Sequence, residues 1–218
     1  VDGATNASVG DVNVNGQAYE VKGKEARLNT QNGFGLGTPA MISFFNALKD
    51  HKDPKIQNIG NNFGDSSKGN IQSYNFLKGG KSKFYELFQT AHKDGIKLND
   101  IFEILASTLF CGDSGIWLSA SSQLENEVVS AFKKYVGKDG TAKNDVMLNY
   151  ALMWINIKYY KTREPFNGIF IILPGTGKMA YLPVGEQDMT GWLSKNVKYN
   201  QPSWQDNPTS NCWKITLK

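Results

Sequence analysis

A chain of 218 residues, 40% hydrophobic and 12% aromatic, is apolar enough to bury a core, which excludes a disordered tail or a fibrous repeat. No apolar run approaches the ~18 residues of a membrane span and no secretory leader is read, so no membrane partner is expected. The net charge of +4 permits a polyanionic partner, but Arg27 and Arg163 are the only arginines, and arginine is the residue suited to bidentate base reading.

A single domain over residues 1–218 is expected, with fold class α/β (α+β). The chain opens on Val1 without a methionine, which reads as processing or excision from something longer. Residues Val1 to Val9 read as an arm or a leading strand. Asn15-Gly16 then separates two alternating runs, the signature of a two-residue hairpin loop. With those two residues as the loop, Val14 faces Gln17, Val12 faces Tyr19 and Asp11 faces Glu20. Opposed residues share a face and side chains alternate along a strand. Asp11, Glu20 and Lys22 therefore share one face, expected to be wet, and Val12, Val14, Tyr19 and Val21 share the other, expected to be buried.

Carboxylates opposed across a strand pair repel. A divalent cation between them reverses the sign, because it is the largest local charge in such a site. Hard cations such as Mg²⁺ or Mn²⁺ take carboxylate oxygens and retain waters, and a lysine two residues beyond the second acid lies beside them. That set suits metal-assisted phosphodiester hydrolysis. The same residues also suit an ordinary surface hairpin with a charged outer face.

Asp11 followed after a short hairpin by Glu20-Val21-Lys22 resembles the core motif of the PD-(D/E)xK nuclease superfamily. The resemblance covers about a tenth of the chain. It implies a restriction-endonuclease-like core, Asp11 and Glu20 as Mg²⁺ or Mn²⁺ ligands, Lys22 as the catalytic lysine, and DNA as partner. Gly10 stands where that family often has proline. The family also usually places a helix before the motif, often with a further acid; here Asp2 is the sole upstream acid. Tyr19 to Leu28 resembles tailed-phage proteins in its wording. A homodimer is compatible with the resemblance, and the compartment it implies is the cytoplasm, or the virion for a phage-encoded chain.

Beyond the motif, Lys24 and Arg27 stand beside the proposed site. They read either as contacts to a nucleic-acid phosphate or as part of a solvated turn. Gly33, Gly35 and Gly37 make a flexible loop. Thr38-Pro39 caps a helix to about Asp50. Residues 51–80, rich in asparagine, glycine and serine, read as a loop-rich insertion. Helical stripes follow from Ser82, from Leu98, from Ser121 or Ser122 through Tyr135, and from Asp145 to Lys161. Phe166 to Leu173 and Met179 to Val184 flank a Pro174-Gly175-Thr176-Gly177 turn and form a second hairpin, and a short strand closes the chain around Lys214 to Leu217. The expected architecture is a small mixed sheet from two hairpins, flanked by four or five helices.

Other local patterns carry no chemistry. Gly112-Asp113-Ser114-Gly115 has the letters of a serine-protease nucleophile loop, but its flanks are helical. Gly175-Thr176-Gly177-Lys178 lacks the spacing of a phosphate-binding loop. His51 and His92 stand singly. Cys111 and Cys212 give no metal-ligand spacing and read as buried thiols in a reduced compartment. Two functions remain: a Mg²⁺-dependent nuclease, or a non-enzymatic structural or nucleic-acid-binding module of a larger phage assembly.

Overall fold

The computed structural model describes residues 4–6, 10–23, 26–29, 37–64, 81–117, 120–173, 175–198, 212–215 and 217–218; at 4–6, 26–29, 37–39, 81 and 212–215 it describes the backbone alone. The elements in order are β1 (Ala4–Asn6), β2 (Val12–Val14), β3 (Gln17–Lys22), β4 (Ala26–Asn29), α1 (Gly37–Lys49), α2 (Pro54–Phe63), α3 (Lys81–Lys93), α4 (Leu98–Leu105), α5 (Ser122–Tyr135), α6 (Asp145–Arg163), β5 (Gly168–Leu173), β6 (Lys178–Pro183), α7 (Thr190–Asn196) and β7 (Cys212–Ile215). A π-helical segment, Ala106–Phe110, continues α4. The expected α/β class is what the chain adopts.

The main sheet has five strands in the order β1-β2-β3-β5-β6, and β4 pairs with β7 in a separate two-stranded ribbon. The first hairpin has the expected register, Val12 with Tyr19, Asn13 with Ala18 and Val14 with Gln17. Its loop is set by Asn15 and Gly16 at φ 52° and 80°, the left-handed pair that an Asn-Gly loop supplies. The two hairpins join through β3 and β5, which run parallel with Glu20 opposite Ile169, Val21 opposite Phe170 and Lys22 opposite Ile171. Parallel neighbours need a long crossover, and the helical layer supplies it.

That pairing reverses the expected faces of the first hairpin. Ile169, Ile171 and Leu182 are fully buried in the core. Register places Glu20 and Lys22 on the same side as those residues. Glu20 is therefore buried, while Val12, Val14, Tyr19 and Val21 are only half-buried. They share the outer face with Phe170 and Tyr181, and the rings of Tyr19, Phe170 and Tyr181 lie 5.1 to 6.1 Å apart.

Among the described residues there are seven α-helices rather than four or five. One that was not expected is α2, inside the segment read as a loop-rich insertion. Asp53 caps it by accepting from the Lys55 N–H at 2.9 Å, and Pro54 opens it. Ile56 and Ile59 are fully buried, so 54–63 belongs to the core. Gly60 lets α2 approach α1: a Cβ there would stand 2.8 Å from the Lys49 nitrogen. Residues 65–80 lie outside the described residues.

The longest helix, α6, is capped by Asn144, which accepts from the Met147 N–H at 3.0 Å. Every residue from Leu148 to Ile157 is buried, as befits a helix that is apolar around most of its circumference. It ends at Glu164, immediately before Pro165, a residue that cannot continue a helix. Its last turn is thereby delivered to the end of β3. No helix of the described residues is long and apolar enough to cross a membrane.

Candidate active site

Asp11, Glu20 and Lys22 meet at the C-terminal end of β3. Asp11 leaves the regular ladder. Its N–H donates to the Tyr19 carbonyl at 2.9 Å, and its Oδ2 accepts the Val21 N–H at 2.8 Å. The carboxylate thus takes the place of the ladder carbonyl that β2 no longer offers. Gly10 makes the bend with φ 73°, and a Cβ there would stand 2.9 Å from the Tyr19 oxygen. Proline, with φ fixed near about −65°, cannot occupy this bend. Glycine at position 10 has that local cause.

Glu20 is 2% exposed and Asp11 48% exposed at the side chain, so the pair is asymmetric: one acid is inside and one is at the rim. Lys22 lies between them. Its Nζ forms an ion pair with Glu20 Oε2 and stands 3.6 Å from Asp11 Oδ2. The repulsion expected between two opposed carboxylates is therefore relieved within the chain by Lys22. The buried Glu20 Oε2 has Lys22 as its charged partner. Burial raises the Glu20 pKa above the ordinary carboxylate range; the contact and charge of Lys22 oppose that, and the charges of Asp11 and Glu164 add to it.

Two residues of the cluster are not legible in the motif. Tyr160, in the last turn of α6, has its ring centroid 5.8 Å from Lys22 Nζ. Its hydroxyl donates to Glu164 Oε2 at 3.0 Å. Burial, with the charges of Glu20, Glu164 and Asp11, raises the Tyr160 phenol above its ordinary value, so it remains a protonated donor at neutral pH. Glu164, which follows the last turn of α6, brings a third carboxylate whose charge acts on Glu20. Asp2 lies outside the described residues.

Lys24 lies outside the described residues, as do 33–36 of the glycine loop, and Gly37 opens α1. Arg27 sits in β4 opposite Lys214 of β7, away from the main sheet in hydrogen-bonding order. Cys111 is half-buried and free, and burial with the nearby Glu125 charge pushes its thiol up to about 12. Such a thiol is unreactive at neutral pH.

No protein-family model, curated protein or solved structure matches the chain. Among the described residues, no group of three or more His, Cys, Asp or Glu is arranged to hold a metal ion. The donor set at the end of β3 is thus two carboxylates and an ammonium, with the Glu164 carboxylate bonded to the Tyr160 hydroxyl.

Proposed function

We propose that the protein is a Mg²⁺- or Mn²⁺-dependent nuclease that hydrolyses phosphodiester bonds in DNA. The observation that supports this most is the convergence of two carboxylates, the buried Glu20 and the rim residue Asp11, on one ammonium, Lys22. Burying a carboxylate costs free energy unless it is paired and hydrogen-bonded, and hard cations are ligated by such oxygens. Asp11 and Glu20 fit the metal by donor chemistry and would hold it. When bound, the cation supplies Lewis acidity and a more acidic water. Lys22 offers a fixed positive charge where charge develops on a phosphoryl oxygen. Asp11, at the rim, leaves the site open toward solvent on the side from which a polymer must approach.

A second reading has its own support. Lys22 neutralises both acids, and Asp11 completes the β3 hydrogen bonding. Each residue then has a structural account, and the hairpin is scaffold for a non-enzymatic module. Incubating the protein with plasmid and with single-stranded DNA, in Mg²⁺, in Mn²⁺ and in EDTA, separates the readings. The nuclease reading expects cleavage with metal, none in EDTA, and none in Glu20→Gln. Intact DNA under every condition, or cleavage at the parent rate in Glu20→Gln, would overturn it.

A further inference from the structure

The motif residues do not account for how Lys22 is held. Its side chain is 16% exposed and carries an ammonium that two carboxylates attract. A lysine stem has about 2 kcal/mol of rotamer entropy to lose, so a fixed ammonium needs walls as well as charges. Tyr160 supplies a wall: its ring centroid is 5.8 Å from Nζ, within cation–π range.

Tyr160 is itself tied down at both ends. Its carbonyl accepts the Glu164 N–H at 3.0 Å, and its hydroxyl donates to the Glu164 carboxylate, also at 3.0 Å. Phe166, 2% exposed, packs its ring 5.7 Å from that of Tyr160. Pro165 stops the helix between these two anchors. The ring is thereby fixed by the end of α6, independently of the hairpin that carries Lys22.

We propose that Tyr160 is a positioning residue: its ring face, steadied by Glu164, holds the Lys22 ammonium at the Asp11–Glu20 end of β3. The catalytic consequence rests on the nuclease reading; the geometric one does not. Tyr160 touches no reacting atom and acts through Lys22 alone.

The test separates ring from hydroxyl and reads Lys22 directly. The parent, Tyr160→Phe, Tyr160→Leu and Glu164→Ala are treated with an amine-acylating reagent, and peptide mass spectrometry gives the acylation rate of Lys22 relative to the exposed Lys97. Losing a partly desolvated cation–π contact should raise the Lys22 rate in Tyr160→Leu by roughly fivefold to tenfold. Tyr160→Phe keeps the ring and should stay within about twofold of the parent, and Glu164→Ala should fall between. DNA cleavage should follow: in Tyr160→Leu kcat drops by a similar factor with KM unchanged, and Tyr160→Phe restores most of it. Parent-rate acylation of Lys22 in Tyr160→Leu overturns the proposal, and so does a Phe variant as fast as the Leu variant. Should Tyr160→Leu fail to fold by circular dichroism, the exposed Glu164→Ala decides, and parent-rate acylation there overturns it. A parent protein that cleaves no DNA refutes the nuclease reading and leaves the acylation result to stand or fall alone.

Discussion

Asp11 Oδ2 accepts the Val21 N–H at 2.8 Å, just past the point where the β2–β3 ladder ends at Val12 and Tyr19. The proposed metal ligand at the rim is thus also a strand-capping residue. The two roles come apart by substitution. Asp11→Asn keeps an acceptor oxygen for Val21 and should leave stability within about 0.5 kcal/mol of the parent. Asp11→Ala removes the acceptor at a half-exposed position and should cost about 1 kcal/mol, seen as a Tm about 2–4 °C lower. Urea denaturation checks the pair; equal stability in both variants would mean the Val21 bond contributes nothing.

Gly10 makes the approach to Asp11 possible. At φ 73° with the Tyr19 oxygen 2.9 Å from a would-be Cβ, both conformation and space are restricted. Gly10→Ala should destabilise by about 1–3 kcal/mol. Gly10→Pro should destabilise further, because its φ is fixed in the opposite half of the map. Amide exchange should speed up first at Val21 in both variants. An unchanged Val21 exchange rate would show that the bend does not hold the carboxylate.

Metal addition addresses the proposed ligands. A ligand that binds only the folded chain stabilises it by about 2.7 kcal/mol at one hundred times its dissociation constant. Mg²⁺ or Mn²⁺ should therefore raise Tm in the parent, and Asp11→Asn combined with Glu20→Gln should abolish the rise. Lys22→Ala should keep the rise while losing cleavage, because lysine contributes charge and not coordination. A metal response that survives in the double variant would place the cation elsewhere.

Much of this was readable from residue order, and the unread parts share one cause. The Asn15-Gly16 loop fixed the hairpin register, because that loop type is local. Which face of the hairpin is buried was not local. Alternation alone put Tyr19 and Val21 inside, and only the pairing of Glu20 with Ile169 and Lys22 with Ile171 turns the charged face toward the helices. Tyr160 and Glu164 were missed for the same reason: they stand at the end of α6, far along the chain, and come near Lys22 and Glu20 only through the fold. The helix α2 had a legible signal, Asp53-Pro54 before Ile56, Ile59 and Phe63, but the surrounding asparagine and glycine obscured it.

The burial of Glu20 gives the last prediction, and its sign follows from linkage. Burial holds the folded-state pKa of Glu20 above its ordinary value, which the unfolded chain keeps. The folded chain then binds the proton more tightly than the unfolded one. The resulting stability is fully present below the unfolded value and is lost as pH rises through the raised folded value. In metal-free buffer the parent should therefore lose stability relative to Glu20→Gln as pH climbs from the ordinary glutamate value of about 4.3, until Glu20 is fully ionised. Other carboxylates titrate in the same range, so the difference between the two proteins is the quantity to follow, and its slope matters more than its offset. Saturating Mg²⁺ should reverse the trend, because the cation binds only the ionised carboxylate and so favours the parent increasingly as pH rises. Urea midpoints across that range, with EDTA and with Mg²⁺, read both arms. A flat difference in EDTA would mean that Lys22 fully offsets the burial of Glu20. A slope in EDTA that Mg²⁺ leaves untouched would make Glu20 a buried structural acid, and would remove it from the proposed metal site.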